Sequence, residues 1–164
     1  MTSTETLEKI LPAYKRYYNI NTEDPTQPFD AEAVFNSHNE QYYLVKSAKV
    51  ADIESNEYVF FKAVKRLDTE EFGKLTETAW EKGLKDVNPT FSHKNTDVTL
   101  VIVADSIDED CINAIKNKKL SQSYFFNLKG YSNFHVVAVE PNLNRVLTNR
   151  RGRFLKKMFM QYIQ

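Results

Sequence analysis

The run DVTLVIVADS, residues 97–106, constrains this chain more than any other stretch. Val98 and the unbroken Leu100, Val101, Ile102, Val103 and Ala104 put apolar side chains on both faces of any strand they form, because successive side chains of a strand point to opposite sides. Such a strand belongs in the middle of a sheet with cover above and below it. Helices on both faces are the ordinary way to provide that cover. A chain of 164 residues, 41% hydrophobic and 27% charged, is long enough to do so in one domain and too apolar to stay disordered.

The remaining elements arrange themselves around this strand. Leu7, Ile10, Leu11, Tyr14, Tyr17 and Tyr18 recur at helical spacing over residues 4–18, with Pro12 as a kink or restart. Three strand-like runs follow at 29–36, 41–51 and 57–64, separated by the polar turns SHNE and DIESN, and read as an antiparallel meander. Asp68 with Glu71 forms a capping-box pattern for a helix to about residue 86, and Ser106 with Glu109 repeats it for a short helix ending in KNKK. Strands at 123–129 and 133–140 flank Gly130, and a short strand at 145–148 precedes a last helix. The expected fold is α+β: a mixed, largely antiparallel sheet with an N-terminal three-strand meander and helices packed outside, in the order α-βββ-α-β-α-ββ-α. Residues 1–164 are expected to form a single domain.

Several chemistries lack their residues. The four glycines, at 73, 83, 130 and 152, never fall two to a strand-to-helix turn, so no phosphate cradle is formed and no nucleotide cofactor is predicted. His38, His93 and His135 are far apart in sequence and Cys111 has no thiol partner, so no metal site is predicted by motif. No apolar run of ~18 residues is present to cross a bilayer, and residues 1–11 do not read as a secretory leader. With one cysteine and hence no internal disulfide, a cytoplasmic protein without membrane contact is expected.

Candidate functional residues fall into two groups. Asp30 and Glu32 share a strand face and Lys46 and Lys49 lie on the next strand, while Asp105 ends the apolar strand. The order α-βββ-α-β with an acid on one strand and an acid-x-Lys on the next is the pattern of a restriction-endonuclease-like metal-dependent hydrolase, in which carboxylates hold a divalent ion and the lysine positions water. Here Leu44 and Ser47 stand where the second acid is needed, so cross-strand salt bridges are the stronger reading of these residues. Asp105 reads in the same way as a helix start. His135, alternating with Val137 and Val139, reads as a structural histidine, and Cys111, on a buried helical stripe with Ile107 and Ile115, as core.

The second group is the tail. Residues 141–164 carry six cations and no acid, so the first 140 residues carry a net charge of −6. Within TNRRGRFLKKMF, residues 148–159, the apolar positions 154, 155, 158, 159, 162 and 163 form one stripe that has to be covered, which predicts a helix docked on the sheet. Arg150, Arg151, Arg153, Lys156 and Lys157 then form an anion-binding patch or merely a wet face lying over an acidic body. That acidic body disfavours nucleic acid as a partner.

NEQYYLVKSAKV, NEYVFFK, LKGYSNFHVVAVE and VLTNRRGR together resemble an uncharacterised bacterial family of small cytosolic proteins, chiefly from Gram-positive anaerobes, catalogued as a domain of unknown function; the resemblance spans roughly residues 5–157. It implies a stand-alone cytosolic domain and transfers no activity, cofactor or catalytic residue. The functional expectation is a non-enzymatic intracellular binding or interaction domain. Its aromatic strands (Tyr42, Tyr43, Tyr58, Phe60, Phe61, Tyr124, Phe125, Phe126) would supply core on one side and a surface for a homodimer or protein partner on the other. A degenerate or divergent hydrolase of the endonuclease-like kind is the alternative, and weak nucleic-acid contact through the basic tail a further one.

Overall fold

A computed structural model of the chain describes residues 1–36, 54–85, 87, 93–126, 128 and 130–164. The helices are α1 (Ser3–Tyr14), α2 (Thr69–Leu84), α3 (Glu109–Asn117) and α4 (Lys156–Met160). The strands are β1 (Asn19–Asn21), β2 (Ala31–Asn36), β3 (Glu54–Leu67), β4 (His93–Ile107), β5 (Ser121–Ser123), β6 (Tyr131–Glu140) and β7 (Arg145–Thr148). They form one mixed sheet in the order β1-β2-β3-β4-β6, with β5 and β7 each pairing the far edge of β6. The two central pairings, β3 with β4 and β4 with β6, are parallel, and the others are antiparallel. The fold is α+β, as the sequence predicts.

β4 lies in the interior of the sheet, and its two faces enter two separate cores. Leu100, Ile102 and Ala104 pack with Phe60, Phe134 and Val136 beneath α2 and α3, whose Phe72, Leu75, Ala79, Cys111 and Ile115 close that side. Val101 and Val103 pack with Val59, Phe61, Val137 and Val139 beneath α1 (Leu7, Ile10, Tyr14) and the C-terminal segment (Phe159, Ile163). Gly83 lets α2 lie against β4, because a Cβ there would stand 2.5 Å from a methyl of Val98. α1 begins at Thr2, whose hydroxyl accepts from the amide of Glu5 while the Glu5 carboxylate accepts from the Thr2 amide.

The departures from expectation have local causes. A three-strand antiparallel meander is present, but its members are β1, β2 and β3; the expected strand at 41–51 lies outside the described residues. β1 has three residues, too few to show alternation. α3 is capped at Asp108 rather than Ser106, because β4 runs on to Ile107. The Asp108 carboxylate gives the helix no side-chain cap, since Arg66 engages it through Nε at 2.9 Å and Nη2 at 2.6 Å. In place of a strand at 123–129, β5 stops at Ser123 and Phe125 and Phe126 adopt positive φ, which no strand tolerates.

The tail does dock. Phe159 is fully buried beside Tyr14, and truncating a ring so placed costs about 3–5 kcal/mol. Its first turn, Arg153–Leu155, is a 3₁₀ helix with a tighter period, which takes Phe154 out of the apolar stripe. Phe154 is 69% exposed and rests edge-on against His135.

Candidate functional site

The strand registers assemble a polar cluster at one end of the face that α1 covers. Glu57 pairs with Asp97 across β3 and β4, and Thr99 with His135 across β4 and β6, so four titratable or hydroxyl groups share one face on three neighbouring strands. Glu57 accepts from the Tyr18 hydroxyl at 2.7 Å and from the Thr99 hydroxyl at 3.1 Å. A hydroxyl has one proton, so the 3.2 Å contact between Thr99 Oγ1 and His135 Nδ1 requires the histidine to donate. Nδ1 therefore carries a proton, and at neutral pH, with the pKa lowered, it is the only one on the ring. Burial, aided by the charge of Arg151, lowers its pKa to about 4. Burial also raises Glu57 against the opposing effect of its two hydroxyl donors, and burial together with the Glu57 charge raises Asp97 to about 6 despite the Asn95 amide and Arg151.

The second arrangement lies at the other edge of the sheet. Two clefts of about 710 and 550 Å³ adjoin each other, sharing Lys116, Asn117 and Arg150. The larger runs along β7, between the end of α3 and the C-terminal turn, and holds Lys116, Arg145, Arg150, Arg153 and Lys156. The smaller adds Lys118, Lys119 and Arg151. Among the described residues, no acid lines either cleft. Among the described residues, Arg145 is the one member of this set with an ion pair, to the buried Glu140.

One asparagine builds this basic wall. Asn149 is 1% exposed; its Oδ1 accepts from the amides of Val136 and Gly152, both at 2.9 Å, and its Nδ2 donates to the carbonyls of Phe134 at 2.9 Å and Lys118 at 3.0 Å. The side chain thus ties β6 to the end of α3 and to the turn carrying Arg150, Arg151 and Arg153. Gly152 is required in that turn, because a Cβ would stand 2.8 Å from both the Asn149 oxygen and the Val136 carbonyl.

Each described acid of the hydrolase set has partners of its own. Asp30 accepts from the Ala63 amide at 2.8 Å and pairs with Lys62 at 3.6 Å. Glu32 accepts from Asn21 and from the Thr26 amide. Asp105 does start a helix, but it is α1: its carboxylate accepts from the Ser3 amide at 2.7 Å. Lys46 and Lys49 lie outside the described residues. Among the described residues, no three His, Cys, Asp or Glu side chains stand where they could hold a metal ion. Cys111 is buried in the core, its thiol pushed up to about 11 by that burial and by the charges of Asp108 and Asp68.

Of the predicted patch, Arg150, Arg151, Arg153 and Lys156 line the clefts and Lys157 does not. Among the described residues none of the five has an ion pair, while the charge of Arg151 acts on Asp97. Sequence reasoning missed Lys116, Lys118 and Lys119, having assigned KNKK to a helix end alone, and it missed Asn149. The Asn-x-x-Gly spacing in TNRRG is the available signal, since Asn side chains close such turns. It also missed Glu57 and Asp97, whose pairing depends on register.

Fold and site together define an α+β protein with a basic groove at a sheet edge. The chain belongs to the family described as Domain of unknown function (DUF8052), whose model matches residues 2–161. No curated protein and no solved structure matches it.

Proposed function

We propose that this protein is a non-enzymatic binding domain, a single unit working in the cytoplasm, that holds an anionic partner in the groove along β7. One observation carries the reading: eight lysines and arginines from three segments of the chain line two adjoining clefts in which no described residue is an acid. Like charges gathered without counter-ions repel one another, and an anion relieves that repulsion. Arginine suits the task, because its planar fork binds carboxylate or phosphate through two parallel hydrogen bonds.

Heparin and inorganic polyphosphate are suitable first probes. Both should bind with an affinity that falls steeply as salt rises. Replacing Arg150, Arg153 and Lys156 together by Ala should weaken binding by about 10- to 100-fold, at up to about 1 kcal/mol for each exposed contact. Lys157→Ala, outside the clefts, is the control and should bind like the wild type. Equal binding by the triple variant and the wild type would remove the groove from the account.

A further inference from the structure

We propose that the anionic partner is an acidic, extended polypeptide segment that adds a strand to the free edge of β7. This rests on the groove reading above and specifies its occupant. All four residues of β7 line the larger cleft, although Val146 faces the core under α1 and Leu147 the core under α3. A surface that reaches consecutive residues of opposite facing is the strand's edge, so the floor of the groove is backbone. β7 pairs with β6 on one side, and among the described residues no strand pairs with its other side. Its outward N–H and C=O groups are a ready template for another strand.

The walls choose the occupant. A strand laid against β7 directs alternate side chains toward Lys116 on the α3 side and toward Arg153 and Lys156 on the C-terminal side. Acidic residues on both of its faces therefore find cations. A second copy of this chain pairing edge to edge would bring the same cations together and is disfavoured. Nucleic acid would use the charges but leave the backbone edge unused. With four residues, β7 offers a ladder of about 13 Å, so binding depends on the charges as much as on the backbone.

The test uses the full chain and an end-blocked octapeptide of paired glutamates and paired valines, measured by calorimetry. Two N-methylated versions accompany it, one methylated at alternate positions, which keeps the amide donors of one edge, and one methylated at every position, which keeps none. Strand addition predicts that the fully methylated version binds at least tenfold more weakly while the other binds like the parent peptide, and that at least one amide among residues 145–148 gains protection from hydrogen exchange. Equal binding by both methylated versions, with polyphosphate still bound, overturns strand addition and leaves the groove reading standing. Tighter binding of a 20-nucleotide thymidine oligomer than of the peptide overturns it in favour of nucleic acid. If neither peptide, oligomer nor polyphosphate binds, the groove reading falls as well.

Discussion

At the polar end of the α1 face, Glu57 and Asp97 stand on neighbouring strands and burial holds back their ionisation; around β7, seven cations stand without an ion pair among the described residues. The acids are satisfied by hydroxyls and an amide of the same chain, whereas no described carboxylate pairs directly with these seven bases. A polar group with internal partners serves the fold, whereas a concentrated charge without them is available to a ligand. Arg151 links the two regions, since it lines the smaller cleft and its charge acts on both Asp97 and His135. Changes at the interior cluster should therefore alter stability, and changes at the rim should alter binding. Asn149, buried and yet holding the basic turn in place, should alter each.

The largest effect is expected there. Asn149→Ala strands the amides of Val136 and Gly152 and the carbonyls of Phe134 and Lys118, and buried groups left without partners cost about 1–3 kcal/mol each. Water entering the vacated space offsets part of this, so a loss of about 2–4 kcal/mol in urea unfolding is expected. Polyphosphate affinity should fall in the surviving folded fraction, because the turn carrying Arg150 and Arg153 is no longer tied to β6. Stability loss with unchanged affinity would show that the groove does not depend on this anchor.

Next in size are the linked titrations of Asp97 and His135. Asp97 has its folded pKa raised to about 6, so between its ordinary value and 6 the folded state holds more protons than the unfolded one, and stability falls as pH rises through that window. His135, lowered to about 4, does the reverse, and its contribution is lost as pH falls from 6.5 toward 4. The two slopes oppose each other in the wild type. Asp97→Asn keeps an acceptor for Asn95 and removes one slope, so it should stabilise the protein by about 1–2 kcal/mol at pH 7 after solvent screening is allowed for. Relative to that of the wild type, its melting temperature should then climb with pH between 4 and 6.5, Glu57 keeping its own opposing slope in both proteins. A melting curve parallel to that of the wild type across this range would mean that Asp97 is not held protonated.

Much of the fold was legible because period and composition are local. The doubly apolar β4 announced its central place, α2 began where Asp68 said it would, and 145–148 was read as a strand to the residue. The misreadings arose where a distant partner decided the outcome. Ser106 lost its capping role to the pairing of β4 with β3, which runs on to Ile107, and Asp105 starts a helix 102 residues earlier in the chain. The site was half legible for the same reason. Arg150 to Lys156 are consecutive enough to be seen as one patch, but only the fold brings KNKK beside them. Glu57 and Asp97 look like ordinary strand residues until the parallel register sets them side by side.

The smallest effect tests where the interior ends. Phe154 touches the edge of His135 yet is mostly exposed, so Phe154→Ala should change stability by no more than about 0.5 kcal/mol. Its consequence should be electrostatic. Because burial is the main reason that the histidine pKa lies near 4, removing the ring that shields it admits water and should move the value back toward 6.5, as followed by NMR of the imidazole protons. Polyphosphate affinity at pH 7.5 should not change, since Phe154 lines neither cleft and His135 is neutral in both proteins at that pH. A pKa that stays near 4 would mean that β6 and its neighbours shield the imidazole without help from the tail. The polar cluster would then be closed off from the groove even at the point where Arg151 joins them.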